Sequence, residues 1–90
     1  MIIIPKQRAG LTVEQIDGDL ILLDVSSSTV VHVNPTAALV FQLCDGQRTV
    51  EDIVAVLSAA YPESEADIPR DVAAAVESLL NQHFLEAAAS

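Results

Sequence analysis

The stretch Thr29-Val30-Val31-His32-Val33-Asn34-Pro35-Thr36-Ala37-Ala38 decides the fold, because one periodicity gives way to another inside it. Through Val33 the residues are β-branched almost without break, and such side chains suit a pleated surface better than a helix. At Asn34 the pattern turns. Its side-chain oxygen can accept an orphan backbone N–H at a helix start, and Pro35 suits the first helical position, where its missing N–H costs nothing. A strand therefore ends at Val33, and a helix of about two and a half turns is expected over residues 36–44.

Upstream, Leu20-Ile21-Leu22-Leu23-Asp24-Val25 is apolar on both faces and reads as a central strand covered on each side. Asp17-Gly18 before it is a two-residue hairpin signal, and Leu11-Thr12-Val13-Glu14-Gln15-Ile16 alternates weakly enough to be a first strand. Ser26-Ser27-Ser28 makes a polar turn into Thr29–Val33, so the order is a three-stranded antiparallel meander whose third strand is an edge candidate. Residues 1–10 read as an extended arm with Pro5, Lys6 and Arg8, closed by Gly10.

Downstream, Asp45-Gly46 ends the first helix, with Gly46 as a left-handed stop. Thr49 restarts a helix with Asp52 three residues on, a capping-box arrangement, and Ile53, Leu57 and Ala60 share one face. Tyr61-Pro62 closes it, and residues 63–66 form an acidic loop. Pro69 opens a third helix, on which Val72, Val76, Leu79, Leu80 and Phe84 recur at three- and four-residue steps. Strand–strand–strand–helix–helix–helix in 90 residues predicts a single α+β domain. The two helices joined across Asp45-Gly46-Gln47-Arg48, with a meander as wing, make it winged-helix-turn-helix-like.

Composition narrows the function. Thirteen acidic residues against four basic ones give a formal charge of −9, which repels nucleic-acid backbones and anionic lipid. The single Cys44 leaves no intramolecular disulfide and no cysteine pair for zinc, and its apolar run makes it a buried small hydrophobe. The apolar start Met1-Ile2-Ile3-Ile4 is too short for a signal sequence, and no stretch is long enough to cross a bilayer. A cytoplasmic chain is expected.

Chemistry is sparse. His32 and His83 stand on different elements without metal-ligand spacing, Ser26–Ser28 lack the flanking glycines of a nucleophile elbow, and Gly10, Gly18 and Gly46 are too scattered to cradle a phosphate. Residues 63–67 lack the spacing and the glycine of a calcium loop. No catalytic residue, metal ligand or cofactor site is assigned, and the chain reads as a non-enzyme.

The run His32-Val33-Asn34-Pro35-Thr36-Ala37-Ala38, then Cys44-Asp45-Gly46-Gln47-Arg48-Thr49-Val50-Glu51-Asp52-Ile53, then Asp71-Val72 with a Leu-rich last helix, resembles the PqqD family. That family includes PqqD of pyrroloquinoline quinone (PQQ) biosynthesis and related precursor-peptide recognition elements; the resemblance covers residues 11–86. It implies a winged-helix-like domain that binds the leader of a ribosomally made peptide and presents it to a modifying enzyme: a radical SAM enzyme, a protease or a cyclase. In similar domains the leader adds as a strand to the third strand, with side chains entering a groove beside the last helix. One departure is visible: similar chains usually carry a glycine after that helix, where this one has Gln82-His83-Phe84-Leu85.

Mapped onto this sequence, the peptide-binding residues are Thr29, Val30, Val31, His32 and Val33 on the strand, with Arg70, Val72 and Val76 at the margin of the helical stripe. Strand addition supplies backbone hydrogen bonds for affinity and side-chain pockets for selectivity. The same edge can pair with a second copy of the chain and give a homodimer. Two other readings compete. A winged-helix transcription regulator would have to bring Glu51 and Asp52 to a major groove lined by phosphates, which opposes binding. A structural subunit of an enzyme complex would bind no peptide itself.

Overall fold

A computed structural model describes residues 3–17 and 19–89. Its order is β1 (Ile3–Gln7), β2 (Leu11–Ile16), β3 (Asp19–Asp24), β4 (Thr29–Val33), α1 (Pro35–Leu43), α2 (Val50–Ala60), α3 (Ile68–Asn81) and β5 (Leu85–Ala89), with a 3-10 turn at Pro62–Ser64. The fold is α+β, and the meander has the order β2-β3-β4, all antiparallel. Leu22 faces Val13 on one side and Val31 on the other. Gly18, half of the expected β2–β3 turn, lies outside the described residues, as do Met1 and Ile2 of the apolar start.

β3 is central but covered on one face only. Leu20, Leu22 and Asp24 are buried, whereas Asp19, Ile21 and Leu23 on the other face are half-buried. Helices pack on the first face, and among the described residues neighbouring strand side chains shield the second. Its continuous apolar run therefore overstated its cover.

The helix signals translate directly into hydrogen bonds. Asn34 Oδ1 accepts the Ala37 N–H at 2.8 Å with Pro35 at the first helical position. Thr49 Oγ1 accepts the Asp52 N–H at 3.1 Å, and Asp52 Oδ2 accepts the Thr49 N–H at 3.0 Å. Such caps typically contribute about 1 kcal/mol each. The core gathers Leu20, Leu22, Phe41, Ile53, Val72 and Leu79 around the sheet's inner face, and Cys44 lies within it.

Both chain ends differ from expectation. The segment read as an arm is strand β1, paired antiparallel with β5, Pro5 opposite Ala87 and Lys6 opposite Glu86. Its other side is held by the α1–α2 turn: Gln7 N–H donates to Cys44 C=O at 3.0 Å, and Gly46 N–H donates to Pro5 C=O at 3.1 Å. Gly46 has φ +81°, and a Cβ there would sit 3.1 Å from Lys6 Cδ. α3, in turn, stops at Asn81 before Phe84. His83 takes the left-handed conformation, φ 65°. Its N–H donates to Leu80 C=O at 3.1 Å, and Phe84 N–H donates to Leu79 C=O at 2.9 Å. This paired closure is a Schellman cap with histidine at the position glycine usually holds. Phe84 then folds back into the core, which offsets the steric strain at His83.

Candidate peptide-binding site

β4 is an edge strand whose inner side faces α3. Asp24 lies opposite Thr29, and the Arg8 guanidinium joins Asp24 to the His83 carbonyl just past α3. The C-terminal end of α3 therefore lies beside the start of β4, and the two elements run antiparallel. Between them opens a groove of about 460 Å³. Val31, His32 and Val33 line its strand side, Asn34, Thr36 and Ala37 its far end, and Asp71, Ala74, Ala75, Ser78, Leu79 and Gln82 its helix side. From Asp71 to Gln82 the helix rises about 16 Å, a distance that about five residues of extended peptide cover.

The groove exists because of a rotation of one residue. Val72, Val76 and Leu79 are buried in the core, while Asp71, Ala75, Ser78 and Gln82 form the stripe about 100° away. Small side chains on that stripe leave the space unfilled. Val72 and Val76 are therefore not groove residues: the structure puts them under its floor, 1% and 5% exposed. Arg70 is not a lining residue either. It is exposed, beside Asp67 at 3.2 Å and Asp71 at 3.5 Å. Of the strand residues, Val33 is buried, Thr29 and Val31 are half-buried, and Val30 projects outward. The His32 side chain turns to the outer face, where Nε2 meets Asp19 Oδ2 at 3.2 Å, so it stands at the groove's rim. Among the described residues, no backbone group outside the meander bonds to Thr29–Val33.

Arg8 is the supporting residue that the sequence conceals. Its Nε–H donates to His83 C=O at 2.6 Å, its backbone N–H donates to Phe84 C=O at 3.2 Å, and its guanidinium pairs with Asp24. Asp24 also accepts Ser26 Oγ–H at 2.7 Å and Ser27 Oγ–H at 2.9 Å. The Ser26 hydrogen bond, joined by Ser27 and the Arg8 charge, holds the Asp24 carboxyl at about 2 against the opposing effect of desolvation. This cluster fixes the β3–β4 turn to the segment that follows α3. The Asp24–Ser26–Ser27 part is local, but Arg8 and His83 reach it from far along the chain, and no local pattern announces them.

Elsewhere there is little chemistry. Burial, then the neighbouring Asp45 charge, pushes the Cys44 thiol up to about 12, and its Sγ–H donates to Val40 C=O at 3.1 Å, so it stays a neutral core group. Among the described residues no His/Cys/Asp/Glu group could hold a metal, and no helix is long and apolar enough to cross a membrane.

The family model for "Coenzyme PQQ synthesis protein D (PqqD)" matches residues 19–85. The chain belongs to the PqqD family. Among curated relatives, a PqqA binding protein of Rhodopseudomonas palustris (strain TIE-1) is 40% identical over 56 residues, covering 62% of this chain and 55% of that protein. A PqqA binding protein of Stutzerimonas stutzeri (strain A1501) is 40% identical over 57 residues, 63% of this chain and 61% of that protein. The chain thus spans little more than half the length of these curated relatives. Among solved structures, lasso peptide synthetase B1 complexed with the leader peptide superposes with a TM-score of 0.76 at 30% identity, covering 92% of this chain and 98% of that one. TbiB1 in complex with the TbiA(beta) leader peptide shares the fold, with a TM-score of 0.77 at 22% identity over 94% of this chain and 99% of that one.

Proposed function

We propose that this PqqD-family chain binds the leader region of a ribosomally made precursor peptide as an added strand on β4 and presents it to a modifying enzyme. The observation that carries the reading is the open β4 edge facing a groove whose α3 wall has Ala74, Ala75 and Ser78 at its middle. Thr29–Val33 supplies the backbone donors and acceptors, and alternate leader side chains enter the groove toward Ala74, Ala75 and Ser78. The names of the curated relatives and the leader-bound states of the two solved neighbours support this reading. The chain acts as a non-enzymatic adaptor in the cytoplasm, where ribosomal precursors first become available. The chemistry belongs to a partner of the radical SAM, protease or cyclase type, in PQQ or related peptide natural product biosynthesis. The same open edge supports pairing between two copies, which a leader would displace.

Titration with the leader of a precursor peptide encoded beside the gene tests the proposal. Saturable binding by the wild-type chain and its loss in Val31→Pro, with the helical circular dichroism retained, is the expected result, because proline removes a backbone donor and distorts the edge. Unchanged binding in Val31→Pro contradicts it. Incubated with precursor alone, the chain should leave the peptide mass unchanged; a mass shift without a partner enzyme contradicts the adaptor role.

A further inference from the structure

The groove does not close at the end of β4. A second cleft of about 300 Å³ opens between the start of α1, the end of α2 and the start of α3, and Thr36 and Asp71 line both spaces. Pro35, Leu39, Leu57, Tyr61 and Ile68 form most of its wall. Tyr61 remains 43% exposed there, and aromatic side chains of this kind are frequent anchors in recognition sites. The volume lies at the bottom of the range for free ligands and suits one large side chain delivered by a chain already bound nearby.

Asp71 stands where the two spaces join. Its one ion-pair partner among the described residues is Arg70, whose Nε lies 3.5 Å away and whose other guanidinium nitrogen reaches Asp67 at 3.2 Å. Arg70 is largely exposed, and an ion pair of that kind is weak and easily exchanged. A cation arriving along the groove would also meet a chain of net charge −9.

From this continuity and charge we infer that the peptide does not stop at β4. It continues past Asn34, sets a Lys or Arg against Asp71 and lodges a neighbouring apolar or aromatic side chain in the Leu39–Leu57–Tyr61 cleft. The inference rests on the strand-addition reading above and adds a second subsite with its own chemistry. An extended chain advances about 3.3 Å per residue, so the basic and apolar anchors fall within a few positions of each other.

A display library of random dodecapeptides, selected on the full chain, separates the two ideas. Enriched peptides should carry a Lys or Arg with an apolar or aromatic residue within about three positions, on an extended chain. Synthetic peptides from the pool should bind about tenfold more weakly to Asp71→Asn and to Tyr61→Ala, and more tightly to Arg70→Ala, which frees Asp71. Selection on Asp71→Lys should replace the base by Asp or Glu. All four substitutions are at solvent-accessible side chains, and circular dichroism checks each fold. Peptides that lose binding to Val31→Pro yet ignore Asp71→Asn and Tyr61→Ala overturn the second subsite and leave strand addition standing. Peptides indifferent to Val31→Pro, or a pool with no enrichment, overturn both.

Discussion

Along α3, Val72 and Val76 do one job and Asp71, Ala75 and Ser78 do another. The first set is sealed in the core; the second lines the groove toward β4. A step of one residue turns a helical side chain by about 100°, enough to move it from the interior to a binding wall. The stripe that stabilises the fold and the stripe that can read a ligand are thus neighbours, and substitutions on each should have separable effects.

The largest expected effect is on stability. Val72→Ala should lower the unfolding free energy by about 2 kcal/mol, from lost burial plus the cavity left behind. Chemical denaturation measures this, and leader affinity of the folded fraction should stay unchanged. Ser78→Leu is the converse. An exposed position accepts leucine with less than about 1 kcal/mol change in stability, but the side chain fills the groove. Leader affinity should fall about tenfold, roughly 1.4 kcal/mol, by calorimetry. If Val72→Ala weakens binding selectively, or Ser78→Leu leaves it intact, the division between the two faces is wrong.

How far the sequence reveals these faces depends on the range of the interactions. Three meander strands, the Asn34 cap and the Thr49–Asp52 capping box are local, and each is legible from residues a few positions apart. The pairing of β1 with β5 joins the two ends of the chain. Its alanine-rich C-terminal strand has no β signal of its own, so tertiary contact decides its conformation. At the end of α3, Phe84 continues the helical spacing, yet the left-handed His83 places it beyond the helix. The β4 edge was readable because its order in the meander was; the groove face of α3 was not. Alanine and serine carry no hydrophobic signal, and a vacancy between two elements is recorded only in three dimensions.

The Arg8–Asp24 cluster gives a smaller, pH-dependent test of what ties the β3–β4 turn to the end of α3. The Asp24 carboxyl sits at about 2, below its ordinary 3.8. Between these values the unfolded chain binds more protons than the folded one, so stability rises with pH across that window. The contribution is complete above about pH 4 and is lost as pH falls through about 2. Asp45, lowered chiefly by the Gln47 N–H, acts in the same direction. Acid titration followed by circular dichroism should show Asp24→Asn less stable than wild type at neutral pH and less sensitive to acid. An identical acid dependence in the variant contradicts this role.

Smallest of all should be the response to duplex DNA. α2, the helix that would enter a major groove, carries in its first turn Glu51 and Asp52, the latter already engaged by the cap. Carboxylates at that position oppose phosphate contact. No mobility shift is expected at physiological salt; a saturable, salt-sensitive shift at submicromolar protein would favour a regulator.

Backbone amide chemical shifts recorded while leader peptide is added test the central claim most directly. The account predicts the largest changes at Thr29–Val33 and along residues 71–82, the two walls of the groove, with residues 50–56 of α2 little affected. Large changes across α2 with Thr29–Val33 silent would place the peptide on the other side of the molecule and contradict it.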